Sequence, residues 1–254
     1  MNLLDGTTWD RQELLEKMND DEFYYGYLKT AALSSSSLKL LLDSPKTYRN
    51  VMAYGNEESQ ALRDGWLFHT AILEPEVFSS QRFVDVQSKN TKAYKEAKEE
   101  FGKVFTMTER RDAERLADAF LRNTQAVELI RDCEFEVPAI DYVQDFPFRG
   151  KADVLGKGRI VDLKSTTDIK VFPYSAKKYS YDMQCYLYCN LFGIEYKDFV
   201  FLAMDKKSLD IGIYFCSEEF YFSGEQKVSQ ALDIYERFFI EGEDIDQYHL
   251  EGIL

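Results

Sequence analysis

Apolar and polar positions alternate most regularly between Glu134 and Ser165. Alternation with period two is the mark of a half-buried strand. Ile140 to Gln144, Phe146 to Leu155 and Arg159 to Ser165 therefore read as an antiparallel meander. Gly156-Lys157-Gly158 is the turn between the last two strands, because glycine takes positive φ without a steric penalty. On the final strand Val161 and Leu163 share one face, and Asp162 and Lys164 share the other. Asp153, just before the turn, then falls beside Asp162. Elsewhere the spacing is helical or continuously apolar. Ser34 or Ser35 caps a helix that runs to Asp43 with Leu38, Leu41 and Leu42 inward, and Ser44-Pro45 stops it. Residues 57–73 form the next helix, with Leu62, Trp66 and His69 or Leu73 on one stripe. Gly65, one turn before His69, is expected to let another backbone approach closely. Arg82 to Val86 and Val104 to Met107 read as extended, and Thr108 as the cap of a helix reaching Ile130. Tyr174 to Leu191 is helical, Phe199 to Met204 is a buried strand, Leu209 to Cys216 another strand, and Glu218 to Phe239 a long final helix. The predicted fold class is α/β, a central mixed sheet flanked by helices. One domain is expected over residues 1–254, with 1–31 as a peripheral arm and 241–254 as an acidic tail.

Candidate chemistry concentrates on the meander. An isolated Asp-x-Lys is usually a surface pair worth little. Here Asp162 and Lys164 interrupt an apolar run, and Asp153 stands in register. Two carboxylates at one point repel unless a proton or cation intervenes. Oxygen ligands suit Mg²⁺ or Mn²⁺. Removing Asp162 is then expected to relieve repulsion and leave the metal-free fold intact. Glu136, one strand upstream of Asp153, is either a further acidic group at the site or a surface strand residue. Ser165 and Thr166 follow the lysine and either contact phosphate or cap the next turn. Ser35 and Ser37 either serve the helix N-terminus or, with it, hold a phosphate. Lys89, Lys92, Lys95 and Lys98 form either a solvated surface or a phosphate-tracking patch.

Composition narrows the classes. The chain is 45% hydrophobic and 15% aromatic, enough for a sizeable core. It contains no apolar run long enough to span a membrane, and Met1 to Asp5 lacks the basic and apolar stretches of a secretory signal, so a cytoplasmic protein without membrane partners is expected. The four cysteines form no Cys-x-x-Cys pair and are expected as buried thiols. No Gly-x-x-x-x-Gly-Lys-(Ser/Thr) loop is present, so no nucleotide cofactor is implied. The net charge of −14 argues against a tight duplex binder, although a basic channel can sit inside an acidic shell.

Gly150-Lys151-Ala152-Asp153 followed by Asp162-Leu163-Lys164 resembles the core of the PD-(D/E)XK nucleases. Three further stretches match in order: Leu33-Ser34-Ser35-Ser36-Ser37-Leu38 with Ser44-Pro45-Lys46-Thr47-Tyr48, Gly65 to Thr70 with Leu73-Glu74-Pro75, and Gln184-Cys185-Tyr186-Leu187-Tyr188. Together they are similar to the phage recombination exonuclease branch that includes exonuclease VIII and, more distantly, lambda exonuclease. The resemblance implies a restriction-endonuclease-like core and a two-metal Mg²⁺ site at which Mn²⁺ can substitute. Asp153, Asp162 and the Leu163 carbonyl would hold one ion, with His69 near a second. Lys164 would orient or deprotonate the attacking water, and Gln184 and Tyr188 would lie beside the metals, touching water or phosphate. It further implies a double-stranded DNA end as substrate, 5′-to-3′ digestion leaving 3′ tails, a homo-oligomeric ring, a single-strand annealing partner, and a phage or prophage origin in a bacterial cell. The alternatives are a nuclease of the same core with single-strand or structure-specific preference, and a noncatalytic DNA-binding subunit.

Overall fold

The structure is a computed structural model that describes residues 1–56 and 58–251. The predicted start of the second helix, Glu57, and the last residues of the tail, 252–254, lie outside the described residues.

The chain opens with helices α1 (Arg11–Lys17) and α2 (Leu28–Ala31), joined through a π-helical turn at Phe23–Tyr27. Helices α3 (Ser35–Asp43), α4 (Pro45–Tyr54), α5 (Gln60–Leu73) and α6 (Pro75–Ser80) follow. Two short parallel strands, β1 (Phe83–Val84) and β2 (Phe105–Thr106), flank α7 (Lys92–Phe101). Next come α8 (Met107–Arg122) and α9 (Thr124–Ile130). The central sheet is formed by β3 (Glu134–Val143), β4 (Phe146–Gly156), β5 (Arg159–Thr166), β6 (Phe199–Asp205) and β7 (Ile211–Phe215). Helices α10 (Phe172–Lys178) and α11 (Tyr181–Phe192) cross over between β5 and β6, and α12 (Glu218–Tyr235) closes the fold. Among the described residues no helix is long and apolar enough to cross a membrane.

The five strands lie in sequence order, with β5 in the middle. Their pairing is antiparallel except for β5 with β6. The mixed sheet of the predicted α/β class is thus present. Alternation on β5 does what its pattern requires. Val161 and Leu163 pack with Phe68 of α5 and Leu116 and Phe120 of α8. On the other face Ile160 packs with Leu38 of α3, Met183 of α11 and Val228 of α12. With helices on both faces, β6 is buried at every position, which accounts for its unbroken apolar run. The Lys157-Gly158 turn has φ 55° and 72° with Gly156 paired to Arg159, a two-residue hairpin whose backbone twist matches its strands.

Several element boundaries differ from expectation. Thr106 rather than Thr108 caps α8, in a capping box with Glu109. The helix expected to reach Ile130 breaks at Asn123, whose side chain accepts the Ala126 amide at 3.0 Å and so starts α9. Tyr174 to Leu191 is two helices: Pro173 starts α10 early, and Ser180 adopts a left-handed φ of 53° between them. Leu62 is 61% exposed, so the inward stripe of α5 begins at Leu67. A Cβ at Gly65 would meet no atom within 4 Å, so this glycine does not admit another backbone. The lysine patch also shrinks, because Lys89 reaches inward to Glu109 at 2.7 Å in a network with the buried Arg63.

A glycine that does admit a close approach is Gly150. A Cβ there would sit 2.9 Å from Tyr188 Cε1 and 3.0 Å from Leu191 Cδ1. Gly150→Ala is expected to cost about 1–3 kcal/mol through overpacking, read as a lower denaturation midpoint with the slope unchanged. Gly224 has the same role on α12, where a Cβ would run into the Asp182 carbonyl. The first contact seats α11, the helix that carries Gln184, against the sheet, and the second seats it against α12.

The N-terminal arm has a small core of its own. Leu3, Leu14, Met18, Tyr24 and Leu28 pack with Ile140 of β3. Leu33 then joins β4, donating its amide to Pro147 O at 2.9 Å and accepting from the Arg149 amide at 2.8 Å.

Candidate metal and catalytic site

The site lies where β4 and β5 part. Their ladder runs from Gly156–Arg159 only to Val154–Val161. Beyond that pair the Asp153 carboxylate takes over, and its Oδ2 accepts the Leu163 amide at 2.8 Å. On the other side of β4 the register passes from Phe135–Val154 to Val137–Ala152, omitting Glu136. Glu136 has φ 52°, a left-handed conformation that non-glycine residues seldom adopt. Strained backbone of this kind gathers at functional sites. From α5, His69 Nδ1 comes within 3.4 Å of Asp153 Oδ2. One ligand atom each from His69, Glu136 and Asp153 lie within 4.8 Å of one another.

The second half of the site is on β5 and α11. Asp162 is 0% exposed. Its Oδ1 accepts from Gln184 Nε2, and its Oδ2 meets the Lys164 ammonium. The ammonium is the one partner of Oδ2 among the described residues, so this buried oxygen has no protein donor other than Lys164. Lys164 also lies 4.9 Å from the centre of the Tyr181 ring.

The electrostatics follow from burial. Burial, then Asp153 and Glu74, pushes the Glu136 carboxyl up to about 8. Burial also raises Asp162, and the Lys164 charge offsets this only in part. For Lys164 burial alone would lower the pKa, but Asp162 and Asp153 outweigh it and the net shift is upward. Without a cation the lysine therefore holds its proton, and a role in deprotonating water requires added positive charge nearby. An oxygen-rich donor set with one imidazole, in which the Glu136 and Asp162 carboxyls are held above their ordinary range, fits a divalent cation. His69, Glu136, Asp153 and Asp162 are the side chains that would hold it.

The Glu136 shift has a definite sign in stability. A carboxyl raised from 4.5 to about 8 on folding keeps a proton that the unfolded chain has lost. Its contribution is complete below the unfolded value and is lost as pH rises through the folded one. Metal-free protein should therefore lose stability between those two values, and Glu136→Gln should flatten that slope. Thermal melts from acid to mildly alkaline pH, with and without Mg²⁺, check this. The cation should stabilise the wild type most at the alkaline end.

The other expected site residues fall as follows. Ser37 is buried, and its Oγ accepts the Ser34 amide at 2.8 Å while donating to Ser34 O at 2.9 Å, so it caps α3 rather than facing a phosphate. Ser35 is 9% exposed on the first turn. Ser165 is half-buried, and Thr166 Oγ1 donates to Asp168 O at 3.2 Å, which is a turn contact. Tyr188 is 8% exposed, and its hydroxyl donates to Lys151 O at 3.1 Å. It seats α11 on β4 and does not face DNA, because its one polar atom is already used on backbone.

Sequence reasoning missed Lys39 and Tyr181. Lys39 Nζ lies 5.2 Å from the Tyr181 ring centre, on the ring that Lys164 also approaches. Burial, then the Lys164 charge, lowers Lys39 to about 8. Among the described residues it has neither an ion-pair nor a hydrogen-bond partner. The signal was present: Lys39 interrupts the apolar run Leu38 to Leu42 as Asp162 and Lys164 interrupt theirs. Also missed were Tyr24 and Tyr25 of the arm, over whose rings Lys151 Nζ sits at 4.8 and 5.4 Å.

A restriction-endonuclease-like sheet with an Asp, Asp-x-Lys constellation on its parting central strands defines the class. Residues 34–244 match the family described as a PDDEXK-like domain of unknown function (DUF3799), and the chain belongs to that family. No curated protein matches it. A "Putative exonuclease" from Eubacterium rectale has the same fold at 14% identity, with a TM-score of 0.62 over 92% of this chain and 95% of that one. A "phage related exonuclease" from Haemophilus somnus 129PT aligns at 16% identity with a TM-score of 0.37, over 83% of this chain and 96% of that one.

Proposed function

We propose that the protein is a Mg²⁺-dependent exodeoxyribonuclease acting 5′-to-3′ on double-stranded DNA ends. The observation that carries this is the fully buried Asp162 joined to Lys164 and Gln184 on one side and, through the Leu163 amide, to Asp153, His69 and Glu136 on the other. A surface ion pair does not need a fully buried carboxylate, a left-handed glutamate and a glutamine brace. Divalent cations, when bound, would supply positive charge at the phosphate and acidify water. Asp153, Asp162, Glu136, His69 and the Leu163 carbonyl would hold them. Gln184 fixes the Asp162 carboxylate through Oδ1, and Lys164 meets Oδ2, so the carboxylate is held in one orientation. Lys164, held between Asp162 and the Tyr181 ring, orients the attacking water and takes its proton once nearby charge lowers its own pKa. Action on DNA ends, a ring assembly and an annealing partner rest on the resemblance to phage recombination exonucleases, and the exonuclease name of the Eubacterium rectale protein that shares the fold agrees with it.

The test is digestion of duplexes labelled at either end, with and without a 5′ phosphate, in Mg²⁺ and in chelator. Mononucleotide release from the 5′ strand only, abolished by chelator, is the expected result. Internal cleavage, or no cleavage in Mg²⁺ or Mn²⁺, would overturn it. His69→Ala should lower turnover and shift the preference between Mg²⁺ and Mn²⁺ with little change in melting temperature. A loss of about 1–3 kcal/mol of stability with activity falling only in step would make His69 a packing residue.

A further inference from the structure

The unbroken helix expected over Tyr174 to Leu191 is interrupted at a left-handed serine, Ser180, and the interruption separates two tyrosines of opposite character. Tyr181 turns inward, stacked on Phe201 at 5.7 Å, with the ammonium groups of Lys164 and Lys39 at 4.9 and 5.2 Å from its centre. Tyr179 turns outward and is 53% exposed, yet its ring centre is only 6.2 Å from that of Tyr181. Lys178 Nζ lies 5.7 Å from the Tyr179 ring. One turn back along α10, on the same face as Lys178, Tyr174 is 72% exposed. Aromatic rings and ammonium groups therefore run without a break from the candidate catalytic lysine to open surface. Lys39 and Lys178 have no carboxylate partner among the described residues, on a chain of net charge −14.

From this we infer that the Tyr179-Ser180-Tyr181 corner, with Tyr174, Lys178 and Lys39, is a track for single-stranded DNA leading into or out of the cleavage site. The inference rests on the nuclease reading and names the path of the strand. Exposed rings stack on bases, and only unpaired bases offer a free face. Ammonium groups spaced between the rings match the alternation of base and phosphate along one strand. The acidic remainder of the surface repels a duplex more than a single strand, which has the lower charge density. A left-handed non-glycine residue where two helices could have been one is a conformation that the packing must maintain. Here it splits the tyrosines between the interior and the solvent.

The experiment measures anisotropy of a 5′-fluorescein oligothymidylate, and separately of a blunt duplex, with Ca²⁺ replacing Mg²⁺ to suppress cleavage. Tyr179→Ala should weaken single-strand binding about 10-fold, while Tyr179→Phe should retain it. Lys178→Ala should weaken it and reduce its salt dependence. Leu121→Ala, an equally exposed position on α8 across the sheet, should change nothing. Wild-type affinity in both Tyr179→Ala and Lys178→Ala would overturn the track. So would an equal loss on the blunt duplex, or no oligothymidylate binding by the wild type. Because binding is read without cleavage, these outcomes stand apart from failure of the nuclease reading, which would appear as no metal-dependent digestion by the wild type.

Discussion

Asp162→Ala is expected to abolish metal-dependent cleavage and also to cost about 3–5 kcal/mol of stability, because it strands a buried ammonium. The second half of this result reverses the expectation drawn from the sequence. Seen as one of two neighbouring carboxylates, Asp162 looked like a source of repulsion whose removal would leave the fold intact. In the structure it is 0% exposed and is the anion that lets Lys164, 16% exposed, stay charged inside the protein. It also takes the amide proton of Gln184. Removing it leaves both donors buried without an acceptor. The double substitution Asp162→Ala with Lys164→Met removes both charges and should recover most of the lost stability, since an apolar replacement of a buried pair is often neutral. Activity should not return. Urea titrations of the wild type, the single and the double variant, beside end-label digestion, separate the two effects. A fully stable but inactive single variant would mean that Lys164 finds another partner. An active one would remove Asp162 from the site.

Lys164→Ala and Lys164→Arg should both lose about 10²–10⁴-fold in turnover, the span of a general base or water-holding group. Arginine keeps the charge but carries a broader head whose proton cannot be removed. The space argues in the same direction. The ammonium is bounded by Asp162 on one side and, at 4.9 and 5.9 Å, by the Tyr181 and Phe201 rings on the other. A compact ammonium fits there, and a planar fork must displace a ring. Mg²⁺ binding, followed as a rise in melting temperature, should survive in the Ala variant because every proposed ligand side chain remains. An Arg variant within a few-fold of wild type would leave Lys164 only an electrostatic role.

How much of this could be read from the chain depended on whether the signal was local. The β3–β4–β5 meander was legible because it is joined by short turns and alternates cleanly, and Asp162 and Lys164 stood out against their apolar neighbours. The family resemblance drew attention to His69, which the structure brings to Asp153 across 84 residues of sequence. Helix breaks at Asn123 and Ser180 were not legible. The first depends on a side chain competing for a backbone amide, and the second on tertiary packing that holds a serine left-handed. Tyr188 and Ser37 carry motif positions but serve packing and capping, because periodicity reports which face a residue occupies and not whether its polar atom is already used. Gly150 and Gly65 show the same limit: both are motif glycines, and only one has a neighbour where its Cβ would be.

The position of β5 at the centre of the sheet also sets which parts of the molecule fail together. Up to Leu163 its amides are covered by β4 or the Asp153 carboxylate on one side and by β6 on the other, with helices on both faces, so they should exchange with deuterium only when the whole sheet opens. The arm over residues 1–32 touches that core through β3 and a few apolar side chains, and its amides should exchange through a smaller, separate opening. The ligand-bearing segments around Asp162 then belong to the last region to unfold. Catalytic competence should persist in mild denaturant after the arm has begun to fray, and disappear with the cooperative loss of the sheet.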